Sequence, residues 1–163
     1  MNNEIFYTIS EKDFIKAYRL AAKASKKQLI WLYIGGFLLL CLALFGPEGL
    51  KNLGWISLGG GAAGYFLTLY FLTPRQAKNH YRNYKSIQGQ LSIKLENDGF
   101  VIKTEDGNNY AKWDKLLKWR ENNQYMLIYL APKLFYLIPK NENSNEVVKN
   151  LKSSLLKNIG QPI

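Results

Sequence analysis

Two stretches of the chain carry no charge and hardly any polar group, and they set the terms for everything else. Leu29 to Phe45 is a run of 17 residues and Leu53 to Leu72 a run of 20, neither containing Asp, Glu, Lys or Arg. A helix rises about 1.5 Å per residue, so each run spans or nearly spans a hydrocarbon layer of ~30 Å. In lipid a lone strand would leave its backbone groups unsatisfied, which predicts helices for both. Between them stand Gly46, Pro47, Glu48, Gly49, Leu50, Lys51 and Asn52, a loop short enough to return the chain at once. The pattern over 29–72 is that of a transmembrane hairpin.

Ahead of the hairpin, in residues 1–28, EIFYTI at 4–9 alternates as a short strand and Ser10 opens a helix. Ser10 with Asp13 forms a capping-box-like pair, and Ile9 with Phe14 stands where a hydrophobic staple would. Phe14, Tyr18, Ala21, Ser25 and Leu29 then recur at helical spacing, with Lys12, Lys16, Arg19, Lys23 and Lys27 largely elsewhere on the wheel. This predicts a basic amphipathic helix running unbroken into the first apolar run, its charged face against headgroups. Behind the hairpin, Thr73 and Pro74 allow either a fresh helix capped by Thr73 or a kink in a continuing one. The basic arm PRQAKNHYRNYKS extends to about Ser86, within a juxtamembrane segment of 73–89.

After Gly89 the period falls to two. Leu91, Ile93 and Leu95 alternate with polar residues, Asn97-Asp98-Gly99 turns the chain, and strands follow at 100–104, 110–113, 117–121, 124–130 and 134–138. Asn143 or Ser144 then caps a helix whose Val147, Val148, Leu151, Leu155 and Ile159 make one stripe ended by Gly160. A one-sided helix after an antiparallel sheet lays that stripe on the sheet. The fold class expected is membrane α+β: the hairpin inserted after an N-terminal strand and helix, and a β roll over 90–163 closed by the last helix and joined by strand 4–9.

Charge fixes the direction. Ten Lys or Arg flank the two runs and one, Lys51, lies in the loop, so both termini are expected on the cytoplasmic side. The net charge of +10 divides into +7 over residues 1–85 and +3 over 86–163, which makes most of the excess juxtamembrane. There Lys23, Lys26, Lys27, Arg75, Lys78 and Arg82 are candidates for contact with anionic lipid headgroups. No basic stripe interleaved with aromatics occurs, and a nucleic-acid partner is not expected. The first run is too long, starts too late and lacks an A-x-A-like cleavage site for a signal peptide.

Glycines suggest how the two apolar helices meet. Gly60 and Gly64 form a G-x-x-x-G, and Gly35 and Gly36 lie at a similar depth in the first run, which favours an intramolecular crossing there. The rival is a homodimer through the same glycine face.

Chemistry is sparse. Cys41 is the only cysteine, mid-run, and His80 the only histidine, on the polar arm. No Cys/His or Ser/His/Asp set, no metal-binding cluster and no phosphate loop is present, since the glycines at 59–64 lack a following Lys-Ser/Thr. No catalytic residue, metal ligand or cofactor is expected, and the chain does not look like an enzyme.

The order of elements resembles the YcxB-like family of bacterial membrane proteins. YTISEKDFIKAY, DGFVIKTEDG and the run from Trp113 through LLKWRENNQYMLIYL to FYLIPK carry the likeness, with Trp113, Trp119, Tyr129, Pro139 and Lys140 as signature positions. After Lys140 the family continues with a basic residue and a buried aromatic, whereas here Asn141, Glu142 and Asn143 follow, which leaves the pinning of the last helix open. The resemblance implies a pleckstrin-homology-type roll, a place in the bacterial inner membrane, and no catalytic motif. Two functions are consistent with it: a non-enzymatic membrane-anchored binding or scaffold protein with a protein partner, or a membrane immunity protein neutralising a cognate bacterial toxin.

Overall fold

A computed structural model of the chain describes residues 4–140 and 145–163. Strand β1 (Glu4–Tyr7) pairs antiparallel with β2 (Leu91–Glu96), Ile5 opposite Ile93 and Tyr7 opposite Leu91. Everything between these two neighbours is an insertion of helices. They are α1 (Glu11–Ala22), α2 (Lys26–Phe45), α3 (Glu48–Leu67), a π-helical segment (Thr68–Leu72) and α4 (Thr73–Asn83).

From β2 the chain continues by tight turns through β3 (Gly99–Thr104) and β4 (Gly107–Lys112), which completes a four-stranded sheet in the order β1-β2-β3-β4. Strands β5 (Lys118–Glu121), β6 (Tyr125–Ala131) and β7 (Leu134–Pro139) form a second, three-stranded sheet. Helix α5 (Asn145–Asn158) follows. The architecture is mixed α+β with two antiparallel sheets and two long apolar helices.

Both sheets contribute to one core, in which Ile93, Phe100, Trp119, Met126, Ile128, Ile138, Leu151 and Leu155 are almost wholly buried. Strand β6 is its centre. Tyr125 to Tyr129 are all buried, as a strand covered on both faces must be. Register sorts those faces. Trp119 lies opposite Ile128, and Ile128 opposite Tyr136, on the side that meets Phe100. Arg120 lies opposite Leu127, and Leu127 opposite Leu137, on the other side, which is covered by α1.

Helix α1, expected to lay a charged face on headgroups, is part of the folded core. It buries Phe14 and Ala17, and packs against α4, whose Ala77 is equally shielded. Small residues on both helices let the two axes approach closely. Phe14 meets Tyr81 at 5.6 Å between ring centroids, and the Tyr81 hydroxyl donates to the Ile9 carbonyl.

The expected unbroken helix from α1 into α2 is interrupted. Lys23 is extended, and Ser25 starts α2 with a capping box in which Ser25 Oγ accepts from the Gln28 amide and the Gln28 side chain from that of Ser25. Arg120 completes the break by donating through Nη1 to the Leu20 and Lys23 carbonyls at 2.6 and 2.7 Å. These are acceptors that a continuing helix would have used.

The connection between the apolar helices is also shorter than expected. Only Gly46 and Pro47 lie between α2 and α3, because the helix starts at Glu48, an acidic residue suited to a helix N-terminus. At the other end α3 runs on through Pro74 as one helical stretch, Glu48–Asn83. Pro74 has no N–H to donate, and the ladder widens to i→i−5 just before it, the Thr73 amide reaching the Thr68 carbonyl. Thr73 does not cap a new helix.

The last helix is held firmly. Val147, Val148, Leu151 and Leu155 are buried on it, and Gly160, at φ +98°, ends it in the left-handed region. Trp119 Nε1 donates to the Gly160 carbonyl at 2.8 Å. Capping by Asn143 or Ser144 concerns residues outside those described.

Candidate functional site

Where α1, the π-helical segment and the second sheet converge, three basic residues border one hollow. Lys16, Arg19 and Lys23 stand at i, i+3 and i+7 on one face of α1 and its C-terminus. Opposite them the π segment presents Tyr70, and the Arg19 guanidinium carbon lies 5.7 Å from the centroid of its ring, within cation–π range. Gln124 and Tyr125, from the β5–β6 turn and the start of β6, close the third side. The hollow between them has a volume of about 300 Å³.

Charge in the hollow is one-sided. Among the described residues Lys16, Arg19 and Lys23 form no ion pair. Asp13, on the same helix, is otherwise engaged: Ser10 Oγ donates to its Oδ2 and the Tyr125 hydroxyl to its Oδ1, both at 2.6 Å. Burial alone would raise the Asp13 pKa, but these hydroxyls and nearby Lys16 outweigh it and hold the carboxyl below its ordinary range.

The remaining candidate headgroup contacts divide. Lys26 and Lys27 are exposed in the first turn of α2, and Arg75 is exposed near the start of α4. Lys78 and Arg82, on α4, face α1 across the neck that these two helices form, and pair with its Glu11 at 3.6 and 3.5 Å. Of the six, Lys23 alone lines the hollow. Pattern reading missed Lys16 and Arg19 as partners of Lys23, although their spacing on one helical face was a signal.

The glycines do not bring the apolar helices together. A Cβ built on Gly35, Gly36, Gly60 or Gly64 would meet nothing within 4 Å, so the intramolecular crossing expected there is absent. The close approach is at the turn end, where a Cβ on Gly54 would lie 2.8 to 2.9 Å from the backbone and side chain of Ala43. Two-residue closure brings the helices together there.

The signature positions serve the fold. Trp113 sits in a short 3₁₀ turn rather than in a strand, its Nε1 donating to the Asn97 carbonyl. Trp119 anchors α5. Tyr129 is buried with Lys118 Nζ 5.0 Å over its ring, and Pro139 ends β7. Lys140 pairs with Glu121, which also takes Lys152 of α5 at 2.6 Å. These contacts pin the final helix without a basic and aromatic pair after Lys140.

His80 is exposed, lying parallel to Tyr84 and beside Tyr18. Cys41 is a free, half-buried residue of α2. Among the described residues no three His, Cys, Asp or Glu lie close enough to hold a metal ion.

Residues 95–146 match the family model described as YcxB-like protein. Over these residues the chain is similar to the YcxB-like family. The YcxB-like match begins in β2, spans β3 to β7 and ends in the first turn of α5, so it contains all five signature positions. It covers about a third of the chain and leaves out the helical insertion. A search of the curated proteins found no match.

Proposed function

We propose that the protein is a non-enzymatic, membrane-anchored binding module of the bacterial inner membrane. In this reading α2 and α3 cross the bilayer as a hairpin, both termini are cytoplasmic, and the two sheets with α5 make a pleckstrin-homology-type roll held against the inner leaflet. The observation that carries it is the exposure of the apolar helices. Both are long and apolar enough to cross a membrane, yet only 6% of the apolar window of each is buried within the protein. Trp31, Phe45 and Ile56 are 73%, 84% and 69% exposed. Apolar surface of that extent seeks lipid or a partner.

The arrangement of the neck fits the same reading. Because β1 precedes the insertion and β2 follows it, the β domain is tied to both helices leaving the apolar layer, and α1 packed on α4 stiffens the link. The partner would be a protein docking on the loops or on edge strand β4, where five of six residues are exposed. Nucleic acid has no part in it.

The test is topological. Single cysteines placed at residue 2, in the Gly46–Pro47 turn and at residue 163 are labelled in intact cells with a membrane-impermeant reagent. Labelling of the turn alone is the expected result. Labelling of either terminus, or release of the protein from membranes by alkaline carbonate, overturns the reading.

A further inference from the structure

Resting on that membrane-anchored reading, we propose that the hollow formed by Lys16, Arg19, Lys23, Tyr70 and Gln124 is a specific seat for the phosphate headgroup of an anionic phospholipid. The neck carries other cations, but Lys78 and Arg82 already face Glu11. The three in the hollow converge on one space with no carboxylate paired to them among the described residues. Convergence of unpaired cations distinguishes a site from a diffuse basic surface.

Arg19 supplies the sharper observation. Its Nε is shielded from solvent and has no hydrogen-bond partner among the described residues. A guanidinium with one N–H shielded and unpartnered is costly to hold, and a phosphate oxygen in the hollow accepting from its other N–H groups would offset that cost. The guanidinium fork matches phosphate geometry, and stacking over Tyr70 holds its plane in place. Gln124 adds a side-chain amide that has no hydrogen bond among the described residues.

Height selects lipid over a soluble phosphate compound. Tyr70 belongs to the last turn of the second uncharged run, and Leu69 beside it also lines the hollow. An anion bound to Arg19 therefore sits where apolar helix gives way to the polar neck, with apolar surface directly adjoining. That is the position of a lipid phosphate, its acyl chains lying along α3. A volume of about 300 Å³ is at the lower end for ligand pockets, and suits a headgroup more than a whole lipid.

The experiment uses the full chain, purified in mild detergent and incubated with equal amounts of phosphatidylglycerol and phosphatidylcholine of matched acyl chains. Mass spectrometry then reads the ratio retained. Preference for phosphatidylglycerol is expected in the wild type, and R19Q should lower it roughly tenfold, since it removes both a charge and a bidentate donor. R75Q removes one charge at a similar height outside the hollow, and should lower it by no more than the roughly fivefold of a single surface cation. The K16Q/K23Q double variant alters only exposed side chains and gives a second route to the same loss should R19Q lose its melting transition. Equal losses in R19Q and R75Q, or no preference in the wild type, overturn the proposal. So does stabilisation by free glycerol phosphate without lipid selectivity, which would assign the hollow to a soluble phosphate compound. Carbonate extraction of the same membranes separates the two readings: a protein that stays in the pellet but shows no preference refutes only the lipid seat.

Discussion

The Tyr125 hydroxyl donates to Asp13 Oδ1 at 2.6 Å, joining the first turn of α1 to the central strand of the second sheet across 112 residues. The bond needs a neutral tyrosine and an ionised aspartate, so it responds to pH from both sides. Burial, then the hydrogen bond to Asp13 and its charge, push the Tyr125 pKa up to about 12 from an ordinary 10.0. A pKa raised on folding contributes stability that is complete below the ordinary value and is lost as pH climbs toward about 12. Asp13, whose pKa is lowered, contributes stability present above the ordinary carboxylate value and lost as pH falls through its folded value. Y125F should flatten the alkaline limb of melting temperature against pH, reduce the acid limb, and cost about 1 kcal/mol near neutrality. An alkaline limb unchanged in Y125F would refute the assignment.

Arg120 lies 100 residues from Leu20 in sequence, yet its guanidinium receives the carbonyls that α1 leaves open where it ends. It is 6% exposed and has no carboxylate partner among the described residues, so helix-terminal carbonyls are its main compensation. Charge-assisted hydrogen bonds contribute about 1.5–3 kcal/mol each, and R120A should therefore destabilise the protein by roughly 3 kcal/mol. Hydrogen exchange should quicken at Lys23–Ser25 before it does in α5. Uniform quickening across the chain would mean that Arg120 supports the whole core rather than the α1–α2 junction.

Trp119 holds α5 by two means, volume and a hydrogen bond, and two substitutions separate them. W119A removes a fully buried indole and should cost about 3–5 kcal/mol. W119F keeps most of the ring but leaves the Gly160 carbonyl without its donor, a loss of about 1–2 kcal/mol. Thermal melts in detergent measure both. If W119F matches W119A, the bond to Gly160 outweighs packing.

Local pattern made the repeating elements of this fold readable. The two uncharged runs, the alternation after Gly89 and the stripe on the last helix each repeat a short-range rule, and strands and helices stand at or near the places those rules gave. The break between α1 and α2 was written in Ser25 and Gln28 too, as a capping box, but the apolar spacing through Ser25 and Leu29 hid it. Contacts that arise only on folding left no such trace. Arg120 on Leu20 and Tyr125 on Asp13 join segments about a hundred residues apart. The hollow at Arg19 likewise joins α1 to Tyr70 of the π segment, about fifty residues further along the chain.

The glycines give the sharpest contrast between pattern and packing. G-x-x-x-G at Gly60 and Gly64 reads as a helix–helix contact, but within one chain those positions open onto empty space, whereas Gly54 lies against Ala43. A methyl group at Gly54 would sit 2.8 Å from the Ala43 amide nitrogen, and backbone cannot yield as a side-chain tip does. G54A should push α2 and α3 apart and cost about 1–3 kcal/mol, the usual range for overpacking. G60A and G64A should leave the melting temperature of the monomer within error or raise it, since alanine favours helix by up to about 1 kcal/mol over glycine. Cysteine pairs at 43 and 54 should cross-link within one molecule under mild oxidation, and pairs at 36 and 64 should not. A within-chain bond between 36 and 64, with none between 43 and 54, would place the close approach where the motif put it and overturn the one at Gly54 and Ala43.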